Sequence, residues 1–314
     1  MEGLKFLFLA FITIFLSIKL SIYADLLEKK TKLNSLLIGG LILASVTSFP
    51  ELVTSLAAIL INNPKLAVGN ILGSNIFNLF IISFFDIFFF YHLIFNKITK
   101  KYFYLVIIVL MIYFFFFLSL KVWFLNLFLL SLIIIFLYLI FLILLGNINI
   151  SDEKKDGFKE IKHLILKFII NIFLIIIVGV FLTLQANKLV LLYPYVSSST
   201  VGAFLLGITT SLPEVVTTFS LIKLKAYNLA FSNIIGSNAF NFLVLAFCFL
   251  FKSKEFLFNF MDSDNNCFLK LGFIFHLIIL ISLLKNKSLQ KFTYVIPSFL
   301  ISFLYLILFY LQFS

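Results

Sequence analysis

The chain has no arginine: all 24 of its basic residues are lysine, set against 13 acids. Charged residues make up only 12% of the 314, while 63% are hydrophobic. That scarcity of charge excludes a soluble globular protein, which could not bury so much apolar surface. The two cysteines, Cys248 and Cys267, exclude a disulfide framework and stand at no metal-binding spacing. The three histidines, His92, His163 and His276, lie at loop edges or alone in apolar runs, with no partner at ligand spacing. No Gly-rich nucleotide loop and no nucleophile elbow is present. The acidic run Asp262-Ser263-Asp264-Asn265-Asn266 lacks the Gly and the bidentate Glu of a twelve-residue calcium loop, and reads as part of an external loop over 252–266.

What is abundant is apolar length. Mean hydropathy is +1.18, and several stretches run about 20 residues without a charge, the length that spans a bilayer. Ten spans are expected, over 4–23, 34–61, 66–91, 102–120, 122–147, 164–190, 198–222, 227–250, 267–284 and 292–312. The boundary at Lys121 is a single residue between two spans. The first span has the look of a signal peptide, but its length and its place in a five-plus-five pattern argue that it is retained.

The net charge of +11 follows the loops and implies no nucleic acid. Sixteen lysines fall in alternate loops, including Lys97, Lys100, Lys101, Lys154, Lys155, Lys223 and Lys225, against five (Lys5, Lys65, Lys121, Lys252, Lys254) on the opposite side. The positive-inside rule then puts the lysine-rich loops in the cytoplasm and both termini outside.

Two copies of one polar motif interrupt the apolar pattern. The first reads Thr47-Ser48-Phe49-Pro50-Glu51 and then Asn70-Ile71-Leu72-Gly73-Ser74-Asn75-Ile76-Phe77-Asn78. The second reads Thr210-Ser211-Leu212-Pro213-Glu214 and then Asn233-Ile234-Ile235-Gly236-Ser237-Asn238-Ala239-Phe240-Asn241. Every matched pair is offset by 163 residues, and 44–80 against 207–243 gives 16 identities in 37 positions. The two copies enter the membrane from opposite sides, so the repeat is inverted, the arrangement that supports alternating access. The expected fold is therefore an all-α integral membrane protein of about ten transmembrane helices in two inverted five-helix repeats, 1–147 and 164–314. A hydrophilic cytoplasmic linker over 148–163 joins them.

Of the acids, only Glu51 and Glu214 fall mid-span; Asp86 lies near the cytoplasmic end of its helix. A carboxylate in the bilayer centre costs roughly 2.5–3.5 kcal/mol or more, so it marks an ion path or relay. On a helix Thr47, Ser48 and Glu51 share a face, as do Asn70, Ser74 and Asn78, and the second copy repeats both sets. Every one of these side chains offers oxygen, and none offers thiolate or imidazole, which suits hard cations such as Ca2+ and Na+. Pro50 and Pro213 cannot bond the carbonyls four residues back, on Val46 and Thr209, and free them for a dehydrated ion. Gly73 and Gly236 would let helices approach closely. Two ionised carboxylates carry −2, which one Ca2+ neutralises and three Na+ exceed by one.

These motifs resemble those of the sodium/calcium exchanger family, in the cation/calcium antiporter superfamily. The likeness covers both halves and points to a prokaryotic-type ten-helix member. It implies that Glu51 and Glu214 are the central Ca2+ ligands, with Thr47 and Thr210 contributing backbone carbonyls. By the same likeness Ser48, Ser74, Ser211 and Ser237 line flanking Na+ sites, Asn78 and Asn241 complete the diamond, and the carbonyls of Ala44 and Gly207 reach an outer Na+ site. The first and sixth helices would slide as a gate. The Gly that usually precedes Thr-Ser is Val46 in one copy and Thr209 in the other, and both distal positions, 78 and 241, are Asn where some relatives place one Asp.

The expected activity is exchange of Ca2+ for Na+ at a midplane site, without a cofactor. H+/Ca2+ or K+-dependent antiport is the alternative. An intramembrane enzyme using Glu51 and Glu214 as an acid/base pair lacks a nucleophile, and a passive channel would not need an inverted repeat. The all-lysine basicity and the Phe, Ile and Leu content suit a genome poor in G and C, hence a prokaryotic plasma membrane.

Overall fold

The computed structural model describes residues 2–30, 44–89, 93–121, 126–146, 161–250, 260–284 and 291–313. Among these every regular element is helical. An apolar chain in lipid has no water to satisfy its backbone, so each crossing segment closes its hydrogen bonds on itself. Besides the single turn Ile94–Lys97, the helices are α1 (Glu2–Lys30), α2 (Phe49–Leu60), α3 (Pro64–Phe88), α4 (Tyr102–Lys121), α5 (Leu127–Gly146) and α6 (Ile161–Leu192) in the first stretch of chain. They continue with α7 (Ser198–Thr210), α8 (Leu212–Lys223), α9 (Tyr227–Leu250), α10 (Ser263–Leu284) and α11 (Lys291–Phe313).

Eight of these helices are long and apolar enough to cross a membrane. The ninth span is α7 with α8, bent by 44° at their junction. Helix α2 is a shorter apolar helix with the helical turn 44–47 before it, and the expected span over 34–61 lies in part, at 34–43, outside the described residues. Five crossings, an odd number, separate each helix from its match in the second half. The second repeat therefore threads the membrane in the opposite sense, and the protein is an all-α membrane protein of two inverted repeats. The expected break near Lys121 is real: α4 ends there and α5 starts at Leu127.

Two expectations change at the edges. The linker expected over 148–163 stops short, since α6 already begins at Ile161; the rest of it lies outside the described residues. The acidic run at 262–266 is not loop throughout. Asp262 accepts the backbone N–H of Asn265 at 2.9 Å and caps α10, so Ser263 onward is helix.

Burial sorts the helices. In α3 and α9, 78% of the apolar stretch is buried, against 22–44% in the other long spans. These two helices are the axis of the molecule. Helix α2 packs on α3 and α6, α8 on α9, α11 and α10 on α3, and α1 runs along α6. The close approach of α3 to α7 depends on glycine: a Cβ on Gly73 would sit 2.3 Å from the Ala203 Cα, backbone that cannot move aside. Helix α7 is π-helical over Val201–Leu206, just before the second motif; such bulges often accompany functional sites.

Candidate cation site

Each repeat breaks its motif helix at the same residue. Ser48 separates the turn 44–47 from α2 with φ −87° and ψ 11°. Its repeat mate Ser211 separates α7 from α8 with φ −88° and ψ 4°. Both sit in the sparsely allowed bridge region that active-site residues often occupy. The cause lies in the next two positions: each new helix starts with Pro at its head, Pro50 and Pro213, where a missing N–H costs nothing. The acid follows Pro in the first turn, so Glu51 and Glu214 point from the starts of two helices into the space beside α3 and α9.

There the repeats exchange partners. Ser48 donates to Glu214 Oε1 at 2.8 Å, and Ser211 donates to Glu51 Oε1 at 2.7 Å. Ser237, on α9, donates to Glu214 Oε1 at 3.3 Å, and its hydroxyl lies 3.4 Å from that of Thr47. On the other side Ser74, on α3, donates to the Gly207 carbonyl at 3.3 Å, which also accepts the Ser211 N–H at 3.2 Å. The Ala44 carbonyl accepts the Ser48 N–H at 3.1 Å and the Thr47 hydroxyl at 3.2 Å. Thr210 donates to Leu206 O at 2.9 Å, and its hydroxyl lies 3.5 Å from Asn70 Oδ1. Ten of the twelve positions singled out from the sequence thus meet where the two motifs touch, and Asn78 and Asn241 lie one turn along α3 and α9 from Ser74 and Ser237. All twelve are buried.

Asn70 does a different job from the one its place in the stripe suggested. Its amide binds Thr54 at 2.9 Å and Ser55 at 2.8 Å, and so pins α2 to α3. Asn233 bonds Thr218, the match of Ser55, at 3.5 Å.

Four oxygens stand out. Glu51 Oε2, Glu214 Oε2, Asn78 Oδ1 and Asn241 Oδ1 are buried without a hydrogen-bond partner. They form two repeat-related pairs. Buried polar atoms are almost always paired, so an unpaired one calls for an explanation. Two buried carboxylates also call for positive charge, yet among the described residues the one ion pair is Lys5 with Glu2, at the start of α1. No three of His, Cys, Asp and Glu converge among these residues. The donor set is therefore two carboxylates and neutral oxygens, the ligands of a hard cation.

Sequence reasoning missed three things. Asn75 and Asn238 lie within both motif copies, and their identity at the 163 offset was the available signal; the helical stripe through Asn70, Ser74 and Asn78 drew attention to another face. His276 is not a solitary apolar-run residue: it is buried against Asn238. Asp86, correctly placed near a helix end, is nonetheless fully buried. It accepts from Tyr294 Oη, from Ser298 Oγ at 2.7 Å and from the Ile94 N–H at 3.0 Å. Nothing in the repeat marks it, since its match is Phe249.

Comparison with known proteins places the fold. The fold matches solved structures of the sodium-calcium exchanger NCX_Mj. For the form soaked with 10 mM Na+ and 10 mM Sr2+ the TM-score is 0.65 at 19% identity, over 98% of this chain and 97% of that one. The form soaked with 2.5 mM Na+ and 0.1 mM Ca2+ gives 0.63 at 19% identity over 97% and 96%. The form soaked with zero Na+ and Ca2+ gives 0.60 at 20% over 98% and 97%. No curated protein matches by sequence. A family model described as sodium/calcium exchanger protein matches residues 3–146 and 163–314, nearly the whole chain. The chain accordingly belongs to the sodium/calcium exchanger family and is an integral membrane cation/calcium antiporter, a transporter and not an enzyme.

Proposed function

We propose that this protein exchanges Ca2+ for Na+ by alternating access, at a site near the bilayer midplane between its two repeats. The observation that carries the reading is the set of four unpartnered buried oxygens, Glu51 Oε2, Glu214 Oε2, Asn78 Oδ1 and Asn241 Oδ1. Two carboxylates with no basic partner match the charge of one Ca2+. Thr47 and Thr210 would add backbone carbonyls to the Ca2+ site, and Ser48, Ser74, Ser211 and Ser237, with the carbonyls of Ala44 and Gly207, supply neutral oxygens around it for Na+. A serine that donates to a carboxylate can also turn a lone pair to a cation. Three Na+ held by the same oxygens would leave a net charge of +1, so the two ions compete for one set of ligands and cannot ride together.

The swapped Ser–Glu bonds support alternating access. Each carboxylate is held by the other repeat, so a movement of one repeat against the other must remake the site. Helices α1 and α6, packed along each other, are the pair suited to slide as a gate. The halves 1–147 and 164–314 would face each other across the site, joined on the cytoplasmic side, with both termini outside and the protein in a prokaryotic plasma membrane.

The test is radioactive Ca2+ uptake into proteoliposomes loaded with Na+ and diluted into Na+-free buffer, with a matched H+ gradient in parallel. Uptake that follows the Na+ gradient and stops when it is collapsed supports the reading. Uptake driven only by H+ moves the protein to proton coupling. Uptake down the Ca2+ gradient alone would make it a passive pathway.

A further inference from the structure

The amide oxygens of Asn78 and Asn241 are free to serve a cation only if the two amides are turned the right way. An asparagine side chain is nearly symmetric in shape, and its oxygen and nitrogen differ mainly in what they can bond. Flipped, Asn78 or Asn241 would put an NH2 group where a cation needs a lone pair. Something must set the orientation.

The setting comes from a crossed pair behind the site. Asn238 donates to the backbone carbonyl of Asn75 at 3.1 Å, and Asn75 donates to the backbone carbonyl of Asn238 at 3.4 Å. A backbone carbonyl can only accept, so it admits the amide nitrogen and never the amide oxygen. Asn238 Oδ1 is thereby turned outward, where it accepts the Asn78 amide at 3.0 Å. Asn75 Oδ1 accepts the Asn241 amide at the same distance, 3.0 Å. With their nitrogens held, Asn78 and Asn241 have only their oxygens left, and these are the unpartnered ones.

The chain of orientation has one more link. His276 on α10 has its Nδ1 2.7 Å from the Gly272 carbonyl, which requires the proton on that nitrogen. Its Nε2 then carries a lone pair and accepts the second N–H of Asn238 at 3.3 Å. Both hydrogens of the Asn238 amide are thus committed. The position matching His276 in the first repeat is Tyr113, and the two rings lie 5.2 Å apart behind the asparagines.

We propose that Asn75 and Asn238, with His276 behind Asn238, are positioning residues that lock the amides of Asn78 and Asn241 oxygen-inward, and so set the affinity of the site for its cation without touching it. The proposal rests on the site reading above. It also ties the repeats together, because the orientation of Asn78 in the first depends on Asn238 in the second, and that of Asn241 on Asn75.

The experiment compares Ca2+ uptake in proteoliposomes across a four-protein cycle: wild type, Asn238→Ala, Asn78→Asp and the double variant. Removing groups that orient metal ligands typically costs about 10–100-fold in affinity, so Asn238→Ala should raise the KM for Ca2+ about ten-fold, with a maximal rate within about two-fold. A carboxylate at position 78 has oxygen on both sides and needs no orienting. In the Asn78→Asp background the same alanine should therefore shift KM by less than about two-fold, or lower it by removing the Asn238 oxygen that faces the new charge. A merely structural Asn238 would cost the same in both backgrounds, and that result, or a wild-type KM for Asn238→Ala, overturns the proposal. If Asn238→Ala is not monodisperse in detergent, His276→Phe takes its place in the cycle; it leaves the Asn238–Asn75 bonds intact. An increase of about three-fold in KM is then expected where Asn78 is kept, and none in the Asn78→Asp background; an unchanged KM in both overturns the proposal. Should wild type itself transport no Ca2+, the functional reading fails separately. The orienting role is then read from the thermal shifts that Ca2+ and Na+ induce in the same four proteins, with the same non-additive pattern expected and additive shifts counting against it.

Discussion

Glu51→Gln is the sharpest perturbation of the site, because it changes charge and almost nothing else. Glu51 Oε1 accepts the Ser211 hydroxyl at 2.7 Å, and the amide oxygen of glutamine can take over that bond. The new NH2 would then occupy the place of the unpartnered Oε2, among oxygens that can accept from it. The fold should survive, and with one fewer buried unpaired charge the ion-free protein should melt no lower than wild type. Binding should not survive. At an effective dielectric near 20, unit charges about 4 Å apart interact by about 4 kcal/mol, and a divalent ion doubles that; desolvation takes back part of the gain. A net loss of about 3–5 kcal/mol corresponds to at least about a hundred-fold weaker Ca2+ binding. The assay pairs Na+-driven Ca2+ uptake with the Ca2+-induced rise in melting temperature of purified protein. Uptake should disappear, and the thermal shift with it, while the peak in size-exclusion chromatography stays in place. Wild-type uptake by Glu51→Gln would refute the assignment of this carboxylate to the ion, and with it the charge argument for one Ca2+.

Other outcomes follow from single contacts. Asp86→Leu leaves the Tyr294 and Ser298 hydroxyls and the Ile94 N–H without their acceptor; it should lower stability by about 3–5 kcal/mol in denaturation monitored by circular dichroism, with the KM for Ca2+ in surviving protein near wild type. Gly73→Val drives a branched side chain into the Ala203 backbone, 2.3 Å from where even a Cβ would lie, and should cost at least about 1–3 kcal/mol, seen as a lower melting temperature and loss of transport. Ser211→Ala leaves Glu51 without its donor from the other repeat and should weaken Na+ activation of uptake by about 10–100-fold, the loss of a hydrogen bond to a charged group being worth about 1.5–3 kcal/mol. Orientation is read by cysteine labelling in a background free of Cys248 and Cys267: a cysteine replacing Lys65 should react with an impermeant maleimide from outside intact cells, and one replacing Lys225 only after permeabilisation.

The class, the repeat and the side chains of the candidate site were legible in the order of residues alone. Apolar length and the scarcity of charge require a bilayer as the solvent, because no other environment accepts such segments. The ungapped offset between the two motifs marks Glu51 with Glu214 and Ser48 with Ser211 as equivalents, and helical spacing places each set on one face. What spacing within a helix cannot say is which helix lies opposite. Packing settled that Ser48 serves the Glu of the other repeat and not its own, that the Asn70 amide nitrogen binds Thr54 and Ser55 within its own repeat, and that Asn75 and Asn238 cross. It likewise buried Asp86 beneath Tyr294 and Ser298, more than 200 residues further along the chain. Hydrogen bonds of this kind form between residues that share no local pattern, so their partners are set by how helices pack, and a one-dimensional periodicity carries no record of them.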